Sequence, residues 1–219
     1  MKKKECAVII CGGVIEEAFV LETIKNSNTD CIIAVDKGLE FLHQHKIKPD
    51  VVVGDFDSIS KEIMSHYLDR DEISIYSHDS VKESSDTELA IEVALNLKVK
   101  HLLILGGTGN RLDHFWGNVQ SLTMALEAGV CGVIMDSKNR IRLLNKEFAL
   151  RKEDRFGDYF SLFPLGGVVD KVSLQGAKYP LTNEKLTPWN SRCISNEIIE
   201  EELVIRFNNG VVVLMETKD

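Results

Sequence analysis

Short apolar runs alternate with helical patterns over the first 140 residues of the chain. Six of these runs predict short buried strands, at 6–11, 31–35, 51–53, 73–76, 102–105 and 133–135. Between them, apolar residues recur at helical spacing, most regularly over 87–97 and 112–127. Strands that alternate with helices predict an α/β fold, with a mostly parallel sheet covered by helices on both faces.

The pattern changes after about residue 140, where helical periodicity stops. Strand-like runs follow at 141–144, 148–150, 159–163, 168–174, 203–207 and 211–215. Asn208-Asn209-Gly210 separates the last two runs and is typical of a hairpin turn. We therefore expect an α/β domain over 1–140 and a small all-β sandwich domain over 141–219.

The strand at 51–53 leads into a pair of aspartates, Asp55 and Asp57, within the segment PDVVVGDFDSIS. If extended geometry persists, both carboxylates lie on one face, at the strand end where open α/β sheets bind ligands. Two carboxylates about 4 Å apart would repel by roughly 4 kcal/mol at an effective dielectric near 20, and a divalent cation removes that penalty. The alternative is that one aspartate only caps the next helix, for which Ser58 and Ser60 are also candidates.

Polar clusters follow four strands of the predicted parallel sheet, which brings all four to one edge. They are Asp36-Lys37-Gly38, Asp55 to Ser58, Ser84 to Thr87, and Gly106 to Asp113. Each also has a structural explanation; Ser85 with Glu88, for example, fits a capping box. Together, the carboxylates could hold Mg²⁺, the metal could hold a polyphosphate, and Arg111 could neutralise charge during transfer. The carboxylates of this set are Asp55, Asp57, Asp86 and Asp113.

Charge and cysteine content narrow the classes of protein. A net charge of -8 argues against a nucleic-acid binder but allows a nucleotide ligand bridged by metal ions. The sequence has no 18-residue apolar span, so we expect no transmembrane helix and no membrane partner. The five cysteines form no C-x-x-C pair, which favours reduced thiols and a cytoplasmic protein.

Five segments, in this order, resemble bacterial thiamine pyrophosphokinases: PDVVVGDFDSIS, SSDTELAI, GGTGNRLDH, GAKYPL and ISNE. The resemblance extends over nearly the whole chain. It implies an α/β domain for ATP followed by a β-sandwich for thiamine, in a homodimer with its active site where the subunits meet. The implied reaction is Mg²⁺-dependent transfer of pyrophosphate from ATP to the thiamine hydroxyl, which yields thiamine diphosphate and AMP.

The resemblance also implies roles for individual residues. The metal and catalytic carboxylates would be Asp55, Asp57, Asp86 and Asp113, with Arg111 as a further catalytic residue. The ATP site would include Asp36, Gly38, Gly106, Gly107, Thr108, Asn110 and Arg111. The thiamine pocket would include Tyr179, Ser195 and Asn196, with the ring of Tyr179 stacked on the cationic substrate. The family often has D-G-G-A after its second strand, where this chain has Asp36-Lys37-Gly38-Leu39.

Two other functions fit parts of the sequence. A haloacid-dehalogenase-like phosphatase would use Asp55 as a covalent nucleophile. In that family, however, the D-x-D motif follows the first strand, whereas in this chain it follows the third. A non-catalytic nucleotide-binding module would need fewer carboxylates than this edge carries. The residues alone do not identify the acceptor of the pyrophosphoryl group. They also assign no role to Trp189, which precedes the last of the five motifs.

Overall fold

The computed structural model describes residues 4–57, 59–68, 70–77, 85–109 and 111–219. Ser58, Ser84 and Asn110, which the sequence analysis singled out, lie outside these ranges. The chain divides into two compact units, Met1–Ser137 and Lys138–Asp219. None of the helices in the described ranges has the length and apolar character needed to cross a membrane.

The first unit alternates strands with helices. Its strands are β1 (Cys6–Ile10), β2 (Cys31–Val35), β3 (Val51–Gly54), β4 (Ser74–Ser77), β5 (His101–Leu105) and β6 (Cys131–Met135). Its helices are α1 (Glu17–Asn26), α2 (Gly38–Gln44), α3 (Lys61–Leu68), α4 (Asp86–Asn96) and α5 (Leu112–Glu127). Ser60 caps α3, because its Oγ accepts the Ile63 N–H at 3.3 Å.

The six strands form a parallel sheet in the order β4-β3-β2-β1-β5-β6. The chain moves outward from β1 through β2, β3 and β4, and then crosses back to β5 on the other side of β1. Right-handed crossovers therefore place α1 to α3 on one face and α4 and α5 on the other. Four consecutive residues of β1, Ala7 to Ile10, are fully buried, as expected of a strand covered on both faces.

The second unit is an antiparallel sandwich. Its strands are β7 (Asn139–Leu144), β8 (Phe148–Arg151), β9 (Tyr159–Leu165), β10 (Val169–Gln175), β11 (Leu181–Leu186), β12 (Glu202–Arg206) and β13 (Val211–Thr217), with a 3-10 turn at Lys152–Asp154. One sheet has the order β7-β13-β9 and the other the order β11-β10-β12-β8. Phe160 and Leu214 of the first sheet share a buried core with Val172 and Leu203 of the second.

The predicted fold class is confirmed, with one strand missed. Strand β11 was not predicted because its sequence, LTNEKL, lacks the alternation of a half-buried strand. It lies at the edge of its sheet, only Leu186 is buried, and its register with β10 shifts twice. Charged side chains and irregular pairing are common on edge strands, where most positions face solvent.

Candidate active site

The centre of the candidate site is the crevice at the carboxyl ends of β1 and β5. The strand order changes direction between these two strands, and open α/β sheets bind ligands at such a switch point. The loops after both strands are joined by backbone hydrogen bonds, from Gly13 N–H to Gly106 O at 3.0 Å and from Val14 N–H to Thr108 O at 3.3 Å. A Cβ on Gly13 would lie 2.4 Å from Gly106 O, so only glycine allows this approach.

The glycine-rich loop after β5 is held in place by a side chain of helix α5. The buried side chain of Asn118, on α5, donates from Nδ2 to Gly107 O at 2.9 Å. This bond fixes the loop that the sequence analysis assigned to phosphate binding. The loop includes Gly106, Gly107 and Thr108. A loop whose carbonyl groups are bound to the scaffold keeps a defined backbone surface toward a ligand.

The loop after β2 reaches the same edge. A Cβ on Gly38 would lie 1.9 Å from Ile10 O, so the start of α2 packs directly on the end of β1. Asp36 precedes this contact, with a left-handed backbone (φ 46°), and its N–H donates to Val53 O at 3.1 Å. The Asp36 side chain is thereby positioned between the ends of β2 and β3.

Three carboxylates interact at this edge: Asp36, Asp55 and Asp86. Burial and, to a lesser extent, the negative charges of Asp86 and Asp55 together raise the pKa of Asp36 from 3.8 to about 7. A short-range interaction with Asp86 acts in the same direction. Its Oδ1 atom is buried and has no hydrogen-bond partner among the described residues. Repelling carboxylates with an unpaired oxygen fit a hard divalent cation, since such ions take oxygen ligands.

The first turn of α4 positions Asp86. Ser85 caps the helix by accepting the Glu88 N–H at 3.2 Å, and Glu88 accepts the Ser85 N–H at 3.1 Å, so the predicted capping box is present. The buried hydroxyl of Thr87 contacts the Cys11 sulfur at 3.7 Å, which connects α4 to the end of β1. Burial raises the pKa of the Cys11 thiol to about 12, so the sulfur serves as a neutral packing group.

Asp57 departs from the predicted geometry. The strand ends at Gly54, and Phe56 turns the backbone through a left-handed conformation (φ 62°). The Asp57 N–H then donates to Asp55 Oδ1 at 3.1 Å, which is an Asx turn rather than an extended pair. Both side chains are exposed at the sheet edge.

Asp113 pairs with Arg111 at the start of α5. Arg111 donates from Nε to Oδ1 at 3.1 Å and from its terminal nitrogen to Oδ2 at 2.5 Å. Hydrogen bonds from Arg111 lower the pKa of Asp113 to about 2. Both side chains are exposed, and no described interaction joins them to Asp36. In the described ranges, no three His, Cys, Asp or Glu side chains form a group that could hold a metal ion by themselves.

In the second unit, Asn196 and Tyr179 form one arrangement. Asn196 is 3% exposed; its Oδ1 accepts the Tyr179 N–H at 3.0 Å and its Nδ2 donates to Tyr179 O at 2.9 Å. The Tyr179 ring is 60% exposed, with Lys178 Nζ 5.8 Å from its centroid. Ser195 is exposed in a left-handed conformation (φ 55°), and its N–H donates to Ser161 Oγ at 3.1 Å. Asn196 therefore holds the backbone of Tyr179, while Tyr179 and Ser195 face solvent.

Comparisons with known proteins identify the family of this chain. The family model for the catalytic domain of thiamin pyrophosphokinase matches residues 24–132, and the model for the vitamin B1 binding domain of the same enzyme matches residues 146–212. A thiamine pyrophosphokinase of Bacillus subtilis is 30% identical over 85% of this chain and 87% of its own length. The chain belongs to the thiamine pyrophosphokinase family.

Solved structures of the family have the same fold. The crystal structure of thiamine pyrophosphokinase from Bacillus subtilis has a TM-score of 0.85 and 28% identity, and covers 98% of this chain and all of its own. That from Geobacillus thermodenitrificans has a TM-score of 0.84 and 26% identity, with 98% of each chain covered. The matches support this family over both the phosphatase and the non-catalytic module.

Sequence reasoning missed how some residues take part in the site. Asp36 was assigned to the nucleotide alone, yet it interacts with Asp86 and Asp55. The turn at Gly12-Gly13 was assigned no role, although it forms one side of the crevice. The signal for both was the strand order: once β1 lies between β2 and β5, the loops that follow these three strands meet.

Proposed function

We propose that this chain transfers the pyrophosphoryl group of ATP to thiamine. The thiamine hydroxyl oxygen bonds to the β-phosphorus of ATP, the bond between that phosphorus and the α-phosphate bridging oxygen breaks, and AMP leaves. The hydroxyl proton passes to a carboxylate. The observation that carries the proposal is the acid cluster of Asp36, Asp55 and Asp86 beside a glycine-lined switch point.

The triphosphate of ATP would lie along the backbone of the loops after β1 and β5. Its site would comprise Asp36, Gly38, Gly106, Gly107, Thr108, Asn110 and Arg111. Backbone N–H groups and Arg111 suit phosphate oxygens, because both donate hydrogen bonds in fixed directions. Arg111 is pre-oriented by Asp113, so its planar group is already ordered when the substrate arrives.

Mg²⁺ would be held by Asp55, Asp57, Asp86 and Asp113. Bound Mg²⁺ supplies neutralisation between the carboxylates and the phosphate oxygens. Asp36 supports this assignment, since its buried Oδ1 has no hydrogen-bond partner within the described ranges and its neighbours are acidic. Asp57, Asp86, Asp113 and Arg111 are the catalytic residues of the proposal, and one of these aspartates accepts the hydroxyl proton through an oxygen that does not ligate the metal.

Thiamine would bind the second unit at Tyr179, Ser195 and Asn196. The exposed Tyr179 ring offers a face for the cationic substrate, and a ring over a delocalised cation gains about 0.5–2 kcal/mol. Asn196 contributes by fixing the Tyr179 backbone. Ser195 adds an exposed hydroxyl next to it.

The protein is further proposed to act as a cytoplasmic homodimer with its active site where the subunits meet. Its five free cysteines suit a reducing compartment. Mixing an Asp86→Asn variant with a Tyr179→Ala variant tests the shared site. At a thiamine concentration well below the KM of Tyr179→Ala, mixed activity above the sum of the two variants after subunit exchange supports a site built from two subunits, and activity no higher than that sum contradicts it.

The reaction is tested by incubating the protein with ATP, Mg²⁺ and thiamine and measuring AMP and thiamine diphosphate. Equal amounts of both products are expected, and none after chelation of Mg²⁺. Asp86→Asn should abolish turnover, whereas Asp71→Asn, which changes an exposed aspartate before β4, should not. Release of inorganic phosphate without AMP, or nucleotide binding without product, would contradict the proposal.

A further inference from the structure

Lys37 stands at the side of the crevice where the loops after β1 and β2 meet. A Cβ on Gly12 would lie 3.0 Å from Lys37 Cβ and 3.2 Å from the Lys37 backbone nitrogen. The absence of a side chain at Gly12 leaves this space to the Lys37 stem. The Lys37 Cβ therefore lies next to the Gly12-Gly13 loop, whose Gly13 N–H donates to Gly106 O.

The Lys37 side chain has no structural role in the described part of the chain. It is exposed, and none of the residues that the structure describes forms a capping hydrogen bond or an ion pair with it. Lys37 contributes to α2 only through its backbone, because its carbonyl accepts the Glu40 N–H at 3.1 Å. Its ammonium group, on a flexible four-carbon stem, is free to meet a ligand.

The charges around Lys37 explain what it would bind. Asp36, Asp55 and Asp86 make the neighbouring edge acidic, which by itself repels a triphosphate. Arg111 has its Nε and one terminal nitrogen engaged with Asp113, whose negative charge offsets that of Arg111. Lys37 is thus a cation at the crevice whose charge no described carboxylate takes up.

We propose that Lys37 is a further ATP-binding residue, whose Nζ donates to oxygens of the β- and γ-phosphates. The inference rests on the proposed function, because it needs the triphosphate to lie in the crevice between β1 and β5. The Lys37 contact would also let the protein distinguish nucleotides by the number of their phosphates. AMP, which lacks the outer phosphates, does not make this contact and so leaves more easily after transfer.

The test compares nucleotide affinities by calorimetry, with Mg²⁺ present and thiamine absent. Probes are ATP, ADP and AMP, and the variants are Lys37→Met, Lys37→Arg and the control Lys25→Met. Lys25 is also exposed, but it lies in the last turn of α1, at the opposite edge of the sheet. Lys37→Met should weaken ATP binding about tenfold or more, since hydrogen bonds to charged groups contribute about 1.5–3 kcal/mol.

The pattern across probes decides the outcome. Support requires that Lys37→Met loses ATP and ADP affinity but keeps AMP affinity, that Lys37→Arg keeps most ATP affinity, and that Lys25→Met matches the wild type. Unchanged ATP binding by Lys37→Met, or equal loss for all three nucleotides, overturns the inference while the proposed function stands. A wild-type protein that binds no ATP would overturn both. Circular dichroism of each variant verifies that the fold is kept.

Discussion

The Asp36 carboxylate fills the space that a side chain on Gly54 would occupy. A Cβ on Gly54 would lie 2.2 Å from Asp36 Oδ1, and Gly54 has a φ of +149°, which side chains disfavour. The glycine before Asp55 is therefore required for two reasons, the backbone conformation and the room for a neighbouring acid. The conformations of the end of β3 and of the loop after β2 thus depend on each other.

Gly54→Ala should destabilise the protein and displace Asp36. The expected loss in the free energy of unfolding is about 1–3 kcal/mol, from backbone strain and the collision together. Urea unfolding measures it, alongside turnover, which should fall strongly. Gly129→Ala is the matched control, because Gly129 also has a positive φ (+70°) but nothing lies within 4 Å of its Cβ position. Equal effects of the two substitutions on turnover would contradict this account of Gly54.

Asp36 should make the stability of the metal-free protein depend on pH. Its pKa is raised from 3.8 to about 7, so between these values the folded protein holds a proton that the unfolded chain has lost. The free energy of unfolding should therefore fall as pH rises through this window, with the loss complete above about pH 7. Urea unfolding in a chelator, at a series of pH values, measures the slope.

Asp36→Asn should remove that slope, because the amide does not titrate. The other ionisable groups are shared with the wild type, so the difference between the two curves isolates Asp36. Above pH 7, added Mg²⁺ should stabilise the wild type more than the variant, since an ion that binds only the folded state shifts unfolding. Parallel curves for wild type and variant would show that Asp36 titrates normally.

Asn196→Ala should weaken the second unit and reduce thiamine binding together. The substitution removes three hydrogen bonds, two with the Tyr179 backbone and one from the Glu197 N–H at 2.9 Å. At about 1 kcal/mol each, the expected loss in the free energy of unfolding is about 2–3 kcal/mol. Asn190→Ala is the control, since Asn190 is exposed and its side-chain Nδ2 donates to Thr187 Oγ1. A stable Asn196→Ala protein with a normal KM for thiamine would contradict the role of Asn196 in holding the Tyr179 backbone.

Tyr179→Ala should raise the KM for thiamine about 2- to 30-fold, whereas Tyr179→Phe should leave it nearly unchanged. The proposed contact uses the ring face, which phenylalanine keeps. Steady-state kinetics at saturating ATP measure both values, and kcat should change less than KM. Trp189→Ala, which removes a ring that is 77% exposed, tests a second exposed aromatic side chain of this unit. A Tyr179→Phe variant as impaired as Tyr179→Ala would point to the hydroxyl instead.

Much of the fold could be predicted because periodicity reports burial directly. The helix over 112–127 was predicted with the bounds that the structure gives, since its apolar face repeats regularly and it ends before Gly129. The capping box of Ser85 and Glu88 was also predictable, because all of its groups lie within four residues. Local chemistry of this kind does not depend on the rest of the chain.

The site was predictable only as a list of residues. The interaction between Asp36 and Asp86 depends on two loops separated by 50 residues, and no local pattern encodes it. The backbone turn at Phe56 was missed because phenylalanine rarely adopts a left-handed conformation. Strand β11 was missed because an edge strand loses the alternation on which the prediction relies.

The central position of β1 also constrains how the protein is made. Residues Cys6–Ile10 leave the ribosome some 90 residues before their partner on one side, His101–Leu105. A nascent chain therefore carries β1 with one open edge, which can pair with the wrong strand or with another chain. The crevice is completed only when β5 inserts beside β1, so the ATP that we propose to bind there would assist the late stage of folding but not the early one.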